Sequence, residues 1–182
     1  MEDSSRDSNR FQFERFILTQ LLVMALKGVP AFYLPALLAS ENDIKSFSMT
    51  GQRRDLNREK FKLDNLLSIL NNAESNANKN LKYLRDAMDI RSELKQFHPC
   101  SEMECLSKGR SDIVVIKRGK GPESIFAIHN MTENKINYHL NDNDLPEKID
   151  NDFNMRDFLS SIKYNWKNII LDPFLVVWLC SL

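Results

Sequence analysis

Gly28-Val29-Pro30-Ala31-Phe32-Tyr33-Leu34-Pro35 decides how the first half of this chain is read. Gly28 and then Pro30 are a helix stop, because glycine accepts the left-handed conformation and proline cannot continue the ladder. Upstream, Phe13, Phe16, Ile17, Leu21, Met24 and Ala25 recur at three-and-four spacing, which predicts a helix over 10–27 capped by Ser8 or Asn9. Leu22, Val23 and Leu26 widen its apolar face. Downstream, Ala31-Phe32-Tyr33-Leu34 is short, apolar and aromatic, as a buried parallel strand is. A helix feeding such a strand is one unit of an α/β architecture.

Phe16 to Ala39 is also long and apolar enough to raise a membrane span. Lys27, Gly28 and Pro30 in its middle argue against one, since a central lysine costs about 2.5–3.5 kcal/mol on insertion and proline breaks the helix.

Residues 40–58 then read as a long polar loop. Its end, Thr50-Gly51-Gln52-Arg53-Arg54-Asp55-Leu56-Asn57-Arg58-Glu59, packs three arginines, an aspartate and an asparagine into six consecutive positions. Guanidinium forks donate several hydrogen bonds in fixed directions and suit a polyhydroxylated ligand, although a solvated surface loop reads the same way. A loop that follows a parallel strand is where α/β enzymes place ligands.

Further helices are expected over 61–71, from Phe61, Leu63, Leu66, Leu67 and Leu70, and over 80–95, with Ser75 available as a cap and Asp86 to Arg91 as a solvated outer face. After Phe97-His98-Pro99 the period changes from helical to alternating. Strands are expected over 112–119, 124–130, 135–140, 166–170 and 174–179, with turns at Lys120-Gly121-Pro122 and Asp172-Pro173. In the second, Ile125, Ala127 and His129 share one face and Phe126, Ile128 and Asn130 the other. Short strands so spaced predict a small antiparallel β-sandwich.

Composition bounds the function. The chain has 182 residues, enough for one large domain or two small ones. With 25 basic and 25 acidic residues its formal net charge is zero, which leaves no electrostatic footprint for nucleic acid or an anionic membrane. Cys100, Cys105 and Cys180 form no CxxC pair, and an odd count with a polar N-terminus predicts a reducing, cytoplasmic setting. His98, His129 and His139 stand at no metal-ligand spacing and are expected to be structural, with no metal and no cofactor. Asn130-Met131-Thr132 matches a glycosylation sequon but follows no secretory signal. No Gly-rich phosphate loop and no serine elbow is present.

A complete α/β barrel takes about 250 residues, so one strand and a few helices cannot close one. The helix at 10–27 and the strand at 31–34 therefore predict partner elements supplied from outside this stretch of chain, and uncovered apolar faces that associate in their absence.

Arg15-Phe16-Ile17-Leu18-Thr19-Gln20, Gly28-Val29-Pro30-Ala31-Phe32-Tyr33, Leu37-Leu38-Ala39-Ser40-Glu41-Asn42-Asp43, Thr50-Gly51 and Arg54-Asp55-Leu56-Asn57-Arg58 together resemble the C-terminal part of sucrose phosphorylase and its relatives acting on glucosylglycerate, in the α-amylase superfamily (glycoside hydrolase family thirteen). Phe97-His98-Pro99, Ala127-Ile128-His129-Asn130-Met131-Thr132 and Val177-Trp178-Leu179 fit the same relatives. The resemblance implies that residues 1–104 are the C-terminal portion of a catalytic (β/α)8 barrel, with 31–34 its eighth strand, and that 105–182 form the C-terminal β-sandwich domain. It implies that Arg54 reaches the glucosyl ring, that Arg58 is a second substrate contact, and that Asp55 and Asn57 shape the loop. Arg53 stands where such relatives often have glycine.

The resemblance also implies what this stretch lacks. Retaining enzymes of this kind need a carboxylate nucleophile and a carboxylic acid. In the family these lie upstream of the matching segment, and no His-Asp dipeptide occurs here. No catalytic residue is therefore assigned. The expectation is a C-terminal fragment, inactive alone, of an enzyme handling a glucosyl sugar (sucrose or glucosylglycerate) and phosphate, with an N-terminal barrel fragment as the complementing partner. The alternative is a non-catalytic sugar-binding or interaction module.

Overall fold

The structure is a computed structural model and describes residues 10–57, 59–107, 109–141, 143, 145 and 154–181. These fall into two compact units: residues 1–30 with 87–182, and residues 31–86. Residue 105 lies inside the first.

The first unit is built on antiparallel sheet. Its larger sheet has six strands in the order β1-β2-β3-β8-β5-β6: β1 (Met103–Cys105), β2 (Ile113–Arg118), β3 (Ile125–Asn130), β8 (Val176–Ser181), β5 (Asn154–Asp157) and β6 (Lys163–Asn165). A smaller sheet pairs β4 (Ile136–Tyr138) with β7 (Ile169–Leu171). Period-two alternation sends Ile113, Val115, Phe126, Ile128, Val177 and Leu179 to one face of the large sheet, where they meet Tyr138, Ile169 and Leu171 of the small one in a single apolar core. The opposite face, with Ile116, Arg118, Ile125, Ala127, His129 and Trp178, is buried as well. There helix α1 (Gln12–Ala25) lies near His129 through Leu21, and Phe97 packs on Trp178 with ring centroids 4.7 Å apart.

That second cover explains why every residue of β3 is buried. The assignment of its two faces from alternation holds. The strands expected at 112–119 and 124–130 and the turn at Asp172, whose carbonyl accepts from the Leu175 N–H at 3.1 Å, are present; that expected at 174–179 runs instead over Val176–Ser181, because the turn takes in Phe174. The strand expected at 135–140 is confined to Ile136–Tyr138, and that at 166–170 shifts to Ile169–Leu171, because Asn165 to Asn168 make a tight turn closed at 2.9 Å. Strands β1, β5 and β6 carry too little apolar alternation to stand out. The expected caps Ser8 and Asn9 lie outside the described residues.

Helix α1 forms as expected but ends at Ala25, three residues before Gly28. No described helix is long and apolar enough to cross a membrane.

The second unit is helical: α2 (Leu34–Leu37), α3 (Ile44–Thr50), α4 (Leu63–Asn71) and the first half of α5 (Asn76–Glu93). Here the reading of the opening stretch is corrected. Ala31 to Tyr33 is not a strand; Tyr33 is extended, and Leu34 starts a helical turn with Pro35 in its first positions. A strand needs a neighbour for its backbone groups, and every strand pairing described is antiparallel and lies within 103–181. Without one, Pro35 favours the start of a helix. Buried Asn80 on α5 holds the end of that turn, donating to the Ala36 and Leu37 carbonyls at 3.0 and 2.8 Å. Helix α5 starts at Asn76 rather than 80, with Ser75 capping it as expected through the Asn78 N–H at 3.1 Å.

Candidate functional site

The polar stretch 40–58 is not a structureless loop. Asp43 caps α3: its carboxylate accepts from the Ser46 N–H at 2.9 Å and the Ser46 hydroxyl at 2.5 Å. Both bonds favour the ionised form and hold its pKa below the usual carboxylate value. Gly51 ends α3 in the left-handed conformation (φ 67°), its N–H reaching the Phe47 carbonyl at 2.8 Å. Both signals, an aspartate and then a glycine eight residues on, were legible and point to a short helix. What hid it was the lack of an apolar period.

A single 3-10 turn, Arg53–Asn57, follows. It is tied to the residues before it at two points. The Asp43 N–H donates to the Leu56 carbonyl at 2.8 Å, and the Thr50 hydroxyl lies 2.5 Å from Asp55 Oδ2. Asp55 thus spends one oxygen on the loop. Its other oxygen stands 4.0 Å from Arg54 Nε, too far for a hydrogen bond. Arg53 and Arg54 are exposed, with two-thirds of the Arg54 side chain accessible. The turn therefore presents the Arg54 fork outward, and its one carboxylate, Asp55, is engaged in shaping it. Arg58 lies outside the described residues, as does the side chain of Asn57.

The remaining polar residues have local roles. His98 is exposed and its Nδ1 accepts from the Cys100 N–H at 3.2 Å, His139 is exposed, and His129 is fully buried. Among the described residues no group of three His, Cys, Asp or Glu could hold a metal. Asn130 is buried, and its amide nitrogen donates to the carbonyls of Asn134, Leu171 and Asp172 at 2.7 to 3.3 Å while its oxygen accepts from Thr132. The sequon is a turn clamp.

Two polar residues escaped the sequence reading, and a third was misplaced by it. Asp157 is buried, which raises its pKa, yet it accepts from the Leu159, Ser160 and Trp178 N–H groups and the Ser160 hydroxyl, so it anchors a turn. Arg118 is in phase with Ile116 on a buried face, the one cue that marked it out. Arg91, expected on a solvated face, is part-buried and donates to the carbonyls of Met24 and Gly28, which corrects that expectation.

Two open concavities are lined by other residues, one of about 450 Å³ beside Lys27, Glu102, Lys117 and Lys120, the other of about 430 Å³ beside His139, Asn141, Trp166 and Lys167.

No family model matches the chain. Among curated proteins it is similar to the glucosylglycerate phosphorylase of Allomeiothermus silvanus, 28% identical over 71% of this chain and 23% of that protein. It is similar to that of Escherichia coli as well, 24% identical over 91% of this chain and 28% of that protein. The chain thus spans about a quarter of the length of these relatives. Among solved structures, an Anoxybacillus α-amylase aligns with a TM-score of 0.64 and 17% identity, covering 92% of this chain and 32% of that one. In sequence the chain resembles glucosylglycerate phosphorylases, and it shares its fold with part of an α-amylase-superfamily enzyme.

Proposed function

We propose that this chain is the C-terminal part of a retaining, glucosyl-transferring phosphorylase and that it carries a sugar-contacting arginine but not the bond-making carboxylates. The similarity to two glucosylglycerate phosphorylases is the observation that carries this reading. In it, residues 1–104 complete a (β/α)8 barrel begun elsewhere, 105–182 form the C-terminal domain, and the whole acts in the cytoplasm. The substrates are a glucosyl donor, sucrose or glucosylglycerate, and phosphate.

Arg54 is the substrate contact, with Arg58 the second. The turn that carries Arg54 is held by hydrogen bonds at Asp55 and Leu56, so little backbone freedom is lost when the exposed guanidinium orders on a sugar. Its hydrogen bonds orient the ring and leave proton transfer and nucleophilic attack to carboxylates of a complementing N-terminal barrel fragment.

The test is complementation. The chain would be mixed or co-expressed with the portion of the Escherichia coli relative that precedes the matching segment, and phosphate-dependent cleavage of glucosylglycerate followed. The chain alone is expected to be inactive and the mixture active, with Arg54→Ala lowering kcat/KM roughly 10- to 100-fold, the worth of charge-assisted hydrogen bonds. A mixture that works equally well with Arg54→Ala removes Arg54 from the site. Glucose binding by the chain alone, lost in Arg54→Ala, with no activity in any mixture, would instead make it a non-catalytic sugar-binding module.

A further inference from the structure

Two guanidiniums of the first unit are spent on backbone carbonyls rather than on carboxylates. Arg118, at the end of β2 and fully buried, donates through Nη1 to the carbonyls of Ala25 and Leu26 at 2.9 and 2.7 Å and through Nη2 to that of His98 at 3.0 Å. Arg91, on α5, donates through Nε to the Met24 carbonyl at 2.9 Å and through Nη2 to that of Gly28 at 3.0 Å. Buried Phe97 lies against both, 5.7 Å from the Arg91 guanidinium and 5.6 Å from that of Arg118. Among the described residues neither arginine forms an ion pair.

The acceptors explain the arrangement. Four of the five carbonyls belong to the end of α1 and the residues just past it, where unpaired C=O groups carry the negative pole of the helix. The last turn of α1 has no basic residue of its own. Its cap is therefore supplied from elsewhere in the fold. The place matters too. The chain leaves the first unit after Pro30 and returns to it at Ala87. The clamped carbonyls lie just before the first crossing and Arg91 just after the second.

We infer that Arg91 and Arg118 form a buried brace that pins the outgoing segment 24–28 to the returning helix α5 and both to β2, so that neither segment at the root of residues 31–86 loosens without the other. A planar fork is required, since the three carbonyls are divided between two separate nitrogens of Arg118, Nη1 at the end of α1 and Nη2 at His98, and lysine has only one. The brace lies wholly within the first unit, so its success or failure leaves the phosphorylase reading untouched.

Hydrogen exchange followed by mass spectrometry on the full chain tests it, with Arg91→Gln, Arg118→Met and Arg118→Lys. In Arg91→Gln the amides of residues 22–26 and 88–93 are expected to exchange together, roughly 10- to 100-fold faster, while those of 125–130 keep their protection. Arg118→Lys is expected to behave as Arg118→Met does. Acceleration of 22–26 alone would overturn the coupling. Equal acceleration of 125–130 would reduce the pair to general stability, and full protection in Arg118→Lys would reduce the fork to a charge. Should the Arg118 variants fail to fold, Arg91→Gln decides alone.

Discussion

Strand β3 and helix α4 are both apolar, and the protein treats them in opposite ways. All six residues of β3 are buried, whereas none of the nine in α4 is, and Leu63 and Leu67 stay half-exposed or more. Propensity does not account for the difference, since both elements form where their periods predict. The difference is partners. β3 pairs with β2 and β8 at its edges and is covered on both faces by residues of this same chain. The apolar stripe of α4 has no such cover within the described residues. Both elements form where their periods predict, but burial needs an opposing surface, and among the described residues β3 has one and α4 does not.

The contrast breaks most sharply at Trp178. Fully buried and seated on Phe97, it is the largest side chain of the well-covered face. Trp178→Ala is expected to cost about 3–5 kcal/mol, read as a fall in the urea midpoint. A loss below about 1 kcal/mol would mean that this face is no better packed than α4.

His129 sharpens the same face. Burial without a compensating charge pushes its pKa down to about 4, and its Nε2 has no partner. A histidine with a depressed folded pKa is neutral in the native state and takes up its proton more readily once unfolded. Stability is therefore complete above the unfolded value near 6.5 and is lost as pH falls from there towards 4, by about 3 kcal/mol. Urea midpoints measured from pH 7 to pH 4 are expected to show this slope, and His129→Gln to flatten it. An equal slope in the variant would put the titration elsewhere.

What was legible follows the same division. Alternation in 112–119 and 124–130 read correctly because each strand answers to a sheet in this chain. The opening stretch misread because Ala31 to Leu34 has the composition of a buried parallel strand, and composition says nothing of whether a parallel neighbour is at hand. The site was half legible. The arginine cluster stood out, but the small helix leading into it rests on Asp43 and Gly51, two caps without an apolar period between them. The buried arginines stayed hidden for a different reason: carbonyl acceptors leave no mark in a sequence, whereas a carboxylate partner would have.

The smallest effect on stability is the one that tests the comparison from the other side. Leu63 and Leu67, four residues apart, share one face of α4, and both are exposed. Replacing both with lysine removes little that is buried, so the unfolding free energy read from urea titration is expected to change by less than about 0.5 kcal/mol. Association should change much more. An uncovered apolar stripe draws chains together, and sedimentation of the unaltered chain is expected to show concentration-dependent species that the double variant lacks. In the complementation mixture the sign reverses: if an N-terminal barrel fragment covers this stripe, the lysines weaken assembly and lower activity. A variant that abolished association while leaving complementation intact would place the missing cover elsewhere, and α4 would then be a helix whose apolar face meets only water.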